Sequence, residues 1–131
     1  MKHLTDSAVM RICATLVLLT LASLSYAACP GSSAYANIQS IQVGTGGTYY
    51  IQLDTSTNTA AVDVCSCRLS GASFLQLYKY ETPASDSTKG MIALAMWAKA
   101  LNKPIGYYST GCYNNTAGSG YSYFSYIWTQ P

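Results

Sequence analysis

Tyrosine is the residue type this chain holds in excess, with twelve among 131 residues against two phenylalanines and two tryptophans. All but Tyr26 lie beyond residue 27. A phenol joins an apolar ring face to a hydroxyl, so it can stack on the C–H face of a sugar ring and hydrogen-bond the sugar's hydroxyls at once. Tyr49–Tyr50 and Tyr107–Tyr108 are adjacent pairs. Neighbours on a strand point to opposite faces, so one member of each pair must face outward or into an interface. Ordinary strand packing accounts for at least half of the tyrosines.

Other chemistry is poorly supplied. The sole histidine, His3, sits in the leading segment, which leaves no Ser-His-Asp or Cys-His nucleophile arrangement and no histidine zinc site for the rest of the chain. Gly44-Thr45-Gly46-Gly47 runs into a strand and not a helix, so it is no phosphate cradle. Beyond the leader the acids are Asp54, Asp63, Glu81 and Asp86. Two of them facing one another could serve a glycosidase, but Asp54 falls in a turn and Asp86 opens a helix, the ordinary places for solvated acids. The expectation is a non-catalytic chain with no cofactor and no metal.

Four cysteines remain beyond the leader: Cys29, Cys65, Cys67 and Cys112. An even count in a small exported domain reads as two disulfides. On a strand, Cys65 and Cys67 would share a face, and a bridge between them would be strained. Cys29 and Cys112 could each reach that face, so connectivity stays open. Zinc is the rival use, but it would have only one close pair, with a single residue between.

Lys2 and Arg11, an apolar run from Ile12 to Leu24, and Ser25-Tyr26-Ala27 follow the order of a secretory signal. The run falls short of the roughly 20 apolar residues of a membrane span. Residues 1–27 are therefore expected to be a signal peptide cleaved near Ala27, with 28–131 a single secreted or periplasmic domain and no membrane insertion. Cys29 as an acylated residue would want Leu where Tyr26 stands. Five basic side chains against four acidic ones in the mature stretch make a nucleic-acid partner unsuitable.

The elements that must position these residues follow from patterning. Strands are expected over 37–43 and 48–54, around a Gly44–Gly47 hairpin turn, then over 60–67 and 74–80. Residues 88–102 carry Met91, Leu94, Ala95, Trp97, Ala98 and Leu101 at helical spacing, stopped by Asn102-Lys103-Pro104. Strands over 105–109 and 121–128 follow, separated by a polar loop. Short connections favour antiparallel pairing. The fold expected is mainly β with one long helix, an OB-fold-like small antiparallel barrel, with an α+β sandwich as the alternative.

The helix is greasier than a lone cap requires. At 100° per residue its apolar arc, widened by Ile92, reaches about 220°, where about 100° would cover a core. The surplus points to a second copy packed on the helix, with Met91, Ile92, Ala95 and Lys99 as the candidate oligomer interface. A helix sunk in its own core is the alternative reading.

The stretch from Ser87 to Tyr113 is a helix followed by Asn-Lys-Pro-Ile-Gly-Tyr-Tyr and then Gly-Cys-Tyr-Asn-Asn. It resembles the B subunits of bacterial AB5 toxins, most closely the subtilase cytotoxin and typhoid toxin type and more distantly the cholera toxin type. The resemblance implies an OB-fold protomer, a ring of five with helices lining the centre, and binding to cell-surface glycans, with a toxin A subunit as a possible partner. It also implies a sugar site built from a serine just before the first strand, Ser33 or Ser32, and a tyrosine after the helix, Tyr108 or Tyr107. With Tyr35 these are the candidate glycan-binding residues. The alternative is an exported structural or inhibitory protein that uses the same fold without sugar.

Overall fold

The computed structural model describes residues 29–130; the expected signal peptide lies outside them. Gly31–Ser32 (β1), Ile38–Val43 (β2), Thr48–Asp54 (β3), Phe74–Tyr80 (β4), Ile105–Cys112 (β5) and Tyr121–Thr129 (β6) form one six-stranded sheet in the order β1-β5-β6-β4-β3-β2. A four-residue helix, Thr59–Val62 (α1), follows β3, and a long helix, Asp86–Ala100 (α2), joins β4 to β5. No described helix is long and apolar enough to cross a membrane.

Local chemistry explains the long elements. Gly44–Gly47 closes the β2–β3 hairpin, and Gly47 has φ +86° with the Glu81 carbonyl 2.4 Å from where a Cβ would stand, so only glycine fits. From Thr48↔Tyr80 to Asp54↔Phe74 the β3–β4 register is unbroken, which puts Ile51, Leu53, Leu75 and Leu77 on one face, all fully buried. Each such side chain contributes about 1.5–3 kcal/mol of apolar burial. Ser85 caps α2 by accepting the Thr88 N–H at 3.2 Å. Asp86 in the first turn and Lys99 in the last complement the helix dipole. At the far end Asn102 takes the left-handed conformation, and the Lys103 N–H returns to the Ala98 carbonyl at 2.8 Å.

Three expectations need correction. The sheet is mixed and not wholly antiparallel, because β4 and β6 pair in parallel. The long connection through α2 and β5 gives the chain room to return in the same direction. The expected strand over 60–67 is instead α1 and a tight turn. Asn58 accepts the Ala61 N–H to start the helix. The Asp63 carboxylate then takes the Cys67 and Arg68 N–H groups at 2.7 and 2.9 Å, donors that a strand would have given to a ladder. Finally, β5 runs past the expected 105–109 to end at Cys112.

The two disulfides are Cys29–Cys65 and Cys67–Cys112. Cys65 and Cys67, off any strand, point to different partners. The Asp63 turn is thereby tied both to the start of the described chain and to the end of β5. Two bridges suit an oxidising compartment.

The helix α2 packs against β2 and β6. Its inward stripe is Thr88, Met91, Ile92, Ala95 and Ala98. Met91, Ile92 and Ala95 are therefore core residues of their own protomer and not an oligomer interface. Lys99 also serves its own chain, with its ammonium 2.6 Å from the Gln39 carbonyl. The helix is rotated relative to the expected arc: Trp97 and Leu101, placed inward by the spacing, are 47% and 54% exposed, beside Met96 at 58%.

Candidate glycan-binding surface

The β1–β5–β6 corner collects the residues singled out before the first strand and after the helix. The two residues of β1 lie against β5 with Gly31 opposite Ser109 and Ser32 opposite Tyr108. The next residue fastens this pairing. The Ser33 N–H donates to the Tyr107 carbonyl at 2.9 Å, and the Ser33 hydroxyl accepts the Tyr107 N–H at 2.8 Å. Ser33 is buried and its acceptor is engaged in holding the chain to β5.

The tyrosine pair divides as strand geometry requires. Tyr107 is fully buried and donates its hydroxyl to the Val62 carbonyl at 2.9 Å. Burial pushes its phenol well above the ordinary tyrosine range. Tyr108 faces outward. Of the five candidates, Ser32, Tyr35 and Tyr108 are therefore at the surface, while Ser33 and Tyr107 are structural.

Tyr108 does not stand alone. Its ring stacks on Tyr126, with centroids 5.2 Å apart and planes 12° from parallel. Tyr126 meets Trp128 at 5.6 Å, and Trp128 meets the edge of Tyr35 at 6.4 Å. The result is a row of four aromatic rings with the exposed Ser32 opposite Tyr108 at one end. Trp128 can lie this close because its ladder partner is Gly106. A Cβ there would stand 2.5 Å from the indole ring.

Sequence reasoning missed Tyr126 and Trp128, and the reason is a bulge. Tyr108 pairs with Tyr126 but Ser109 pairs with Phe124, so Ser125 is an extra residue in β6. Simple alternation from Tyr121 and Tyr123 would send Tyr126 and Trp128 inward. The extra residue restores both to the outer face and buries Ile127. The only available signal was two large aromatics close together at the end of a final strand.

A second tyrosine group lies further along the same outer face of β6. Tyr50, Tyr78, Tyr121 and Tyr123 come from three adjacent strands, and Tyr113 joins them from the turn after β5. Partial burial and the neighbouring phenols raise Tyr78, and burial with Tyr113 raises Tyr123, so both stay protonated donors through neutral pH.

The carboxylates are occupied locally. Asp54 accepts the Ser56 N–H, which lowers its pKa. Asp63 holds its turn, Glu81 accepts the Thr88 hydroxyl, and Asp86 pairs with Lys89 at 3.2 Å. Among the described residues no cluster of three or more His, Cys, Asp or Glu side chains is grouped for a metal ion.

Comparison with protein-family models, curated proteins and solved structures gives no match, so the functional reading rests on this geometry and on the resemblance of the Ser87–Tyr113 stretch.

Proposed function

We propose that this chain is an exported, non-catalytic glycan-binding subunit of the AB5 B-subunit kind, and that the Tyr108–Tyr126–Trp128–Tyr35 row with Ser32 is its sugar-binding surface. The observation that carries the proposal is the row itself. Rings in line, with Tyr35 and Tyr126 exposed and Tyr108 and Trp128 half-buried, offer platforms for pyranose C–H faces, and the Ser32 and Tyr108 hydroxyls flank them with hydrogen-bonding groups. The engagement of every mature carboxylate in a local bond supports a binding role over acid–base catalysis.

The strand order supports an OB-type barrel. Counted from β2, the sheet runs first, second, third, fifth, fourth, with the third and fifth strands parallel and the long helix between the third and fourth. The two edge strands, β1 and β2, are consecutive in the chain. Ala36 between them bridges to Ile105, and the Asn37 carbonyl accepts the Asp54 N–H, so one stretch leans on β5 at its start and on β3 at its end.

Self-association into a ring belongs to the same proposal, on a different face of α2 from the one expected. Exposed Met96, Trp97 and Leu101 form an outward apolar face, and Ile41, Met96, Lys99 and Ala100 line a shallow cleft of about 340 Å³ beside it. Several weak sugar sites on one ring act together, raising avidity by about 10²–10⁴, and a ring provides a seat for an A subunit. The exposed α2 face equally suits a protein partner, which is the structural or inhibitory reading.

A glycan array followed by titration with hit sugars tests the proposal. Tyr108→Ala and Trp128→Ala should each weaken binding by about threefold to tenfold, the worth of one aromatic contact. A wild-type protein that binds no glycan, or one that binds equally well without both rings, overturns the proposal.

A further inference from the structure

We propose that the second tyrosine group is a docking groove for a proline-rich segment of another protein, bound in the polyproline II conformation. The inference is independent of the glycan-binding reading, and the groove shares no residue with the Tyr108 row.

Sheet register builds the groove. Tyr50, Tyr78 and Tyr123 stand opposite one another on β3, β4 and β6. The Tyr78 ring centroid lies 5.4 Å from each of the other two. Paired strands run about 4.7–4.9 Å apart, so Tyr50 and Tyr123 are separated by roughly 9–10 Å across the sheet. A polyproline II helix has three residues per turn and advances about 9 Å in that turn. A segment laid across the strands therefore brings residues i and i+3 to Tyr50 and Tyr123, while the turn between them passes over Tyr78. The ring planes are tilted by 47° and 54°, so the tyrosines stand as ridges with gaps between them.

Tyr113 meets Tyr78 edge-on at 5.6 Å and forms a wall with it. On one side of the wall, Tyr50, Tyr78, Tyr113 and Tyr121 alone line a cleft of about 200 Å³. That lies below the range of small-molecule sites, about 300–1,000 Å³. It suits one ring inserted from a chain that continues past it. On the other side a cleft of about 530 Å³ contains Tyr123 with Thr110 and Asn114. A segment crossing the wall has a recess for a proline on each side of it.

Hydrogen bonding and charge select the occupant. The bonds that reach Tyr121 and Tyr123 end on their backbones, and no hydrogen bond among the described residues engages the five phenol hydroxyls. Proline has no N–H, and a polyproline II backbone makes no internal hydrogen bond, so the segment presents free carbonyls. Phenol hydroxyls donate to those carbonyls while the ring faces pack on pyrrolidines. A sugar would bring many O–H donors, and the tyrosine-lined cleft offers them neither a carboxylate nor an amide. Gln42, Gln52 and Gln76, on the same outer face, are uncharged. Lys79 alternates to the inner face, 5.9 Å over the Phe124 ring and within reach of the Glu81 charge. An uncharged segment therefore matches this face better than an acidic or basic one. The four prolines of this chain, Pro30, Pro83, Pro104 and Pro131, are widely spaced, so the segment belongs to a partner.

The test is chemical-shift titration of the intact mature protein with acetylated, amidated decaproline, against a glycine-serine decapeptide with the same end groups. Decaproline should move the Tyr50, Tyr78 and Tyr123 signals with an affinity insensitive to salt, and the glycine-serine peptide should leave them in place. Diproline, too short to reach i+3, should bind at least tenfold more weakly. Tyr113→Ala, at an exposed turn, should weaken decaproline by about threefold to tenfold, the worth of one aromatic contact. Tyr78→Phe keeps the ring and removes one donor, and should weaken it by about twofold to tenfold. Tyr108→Ala should change none of this. No shift at these tyrosines, equal shifts with the glycine-serine peptide, or an affinity unchanged in both Tyr113→Ala and Tyr78→Phe overturns the proposal. Methyl glycosides that move the same signals where decaproline does not also overturn it, and give this face to sugar. Array hits lost in Tyr108→Ala uphold the glycan-binding reading whichever way the peptide result falls.

Discussion

Replacing Gly106 with alanine tests whether the aromatic row is a built surface. The added methyl would stand 2.5–2.7 Å from three atoms of the Trp128 indole, Cε2, Cζ2 and Nε1. Carbon pairs rest at about 3.5–4.0 Å, so the ring must retreat by about 1 Å or more. The backbone offers little relief, because Gly106 is held in the β5–β6 ladder opposite Trp128, between the Ile105↔Thr129 and Tyr107↔Ile127 pairs. Trp128 is only half-buried and can swing toward solvent, so the stability loss should fall at the low end of overpacking, about 1 kcal/mol. Its contacts with Tyr126 and Tyr35 would loosen, each worth about 0.5–1.5 kcal/mol. Trp97 is the only other tryptophan, so in a Trp97→Phe background the emission reports Trp128 alone. The emission should shift to the red, and affinity for any array hit should fall by about threefold to tenfold. Unchanged emission with unchanged affinity would refute the packing argument.

Four further outcomes follow from the same structure. Tyr107→Phe should cost about 1–1.5 kcal/mol in chemical denaturation, since the buried Val62 carbonyl loses its donor. The same substitution should flatten an alkaline stability loss. The folded state keeps the Tyr107 proton above the ordinary value of 10 while the unfolded state releases it, so wild-type stability declines as pH rises beyond 10, by up to about 1.4 kcal/mol per pH unit. Replacing Cys67 and Cys112 with alanine should destabilise the domain by about 4 kcal/mol from loop-closure entropy over a separation of 45 residues, read as a lowered denaturation midpoint. If copies associate through the outer face of α2, Met96→Glu with Leu101→Glu should convert the assembly to monomers on sizing with light scattering; a wild-type monomer would remove the ring from the proposal.

Features whose causes are local were legible in the sequence. The α2 helix announced itself through its spacing and its Asn102-Lys103-Pro104 stop, and the Gly44–Gly47 turn through its glycines. The even cysteine count anticipated two bridges. Failures came where distant groups decide. Val62, Val64 and two cysteines look like a strand, but Asp63 captures the backbone donors that a strand needs. The parallel β4–β6 pairing depends on a connection through α2 and β5 that no short window contains. The helix arc was read as too wide because a wheel weighs Trp97 and Ile92 alike, while the sheet accepts only the stripe through Ala95 and Ala98. Of the five residues named for the proposed sugar surface, the structure leaves Ser32, Tyr35 and Tyr108 at the surface. Seeing that Ser32 is exposed and Ser33 buried required the register of a two-residue strand, and the outward turn of Tyr126 and Trp128 required a bulge.

That bulge gives the outer surface an unusual fragility. Ser125 carries no ring and is exposed, yet it sets the phase of everything after it in β6. Deleting it would turn the strand's last residues half a rotation, sending Tyr126 and Trp128 toward the interior and Ile127 out. A lineage could therefore lose the aligned row by dropping one small polar residue while every ring in it remained encoded.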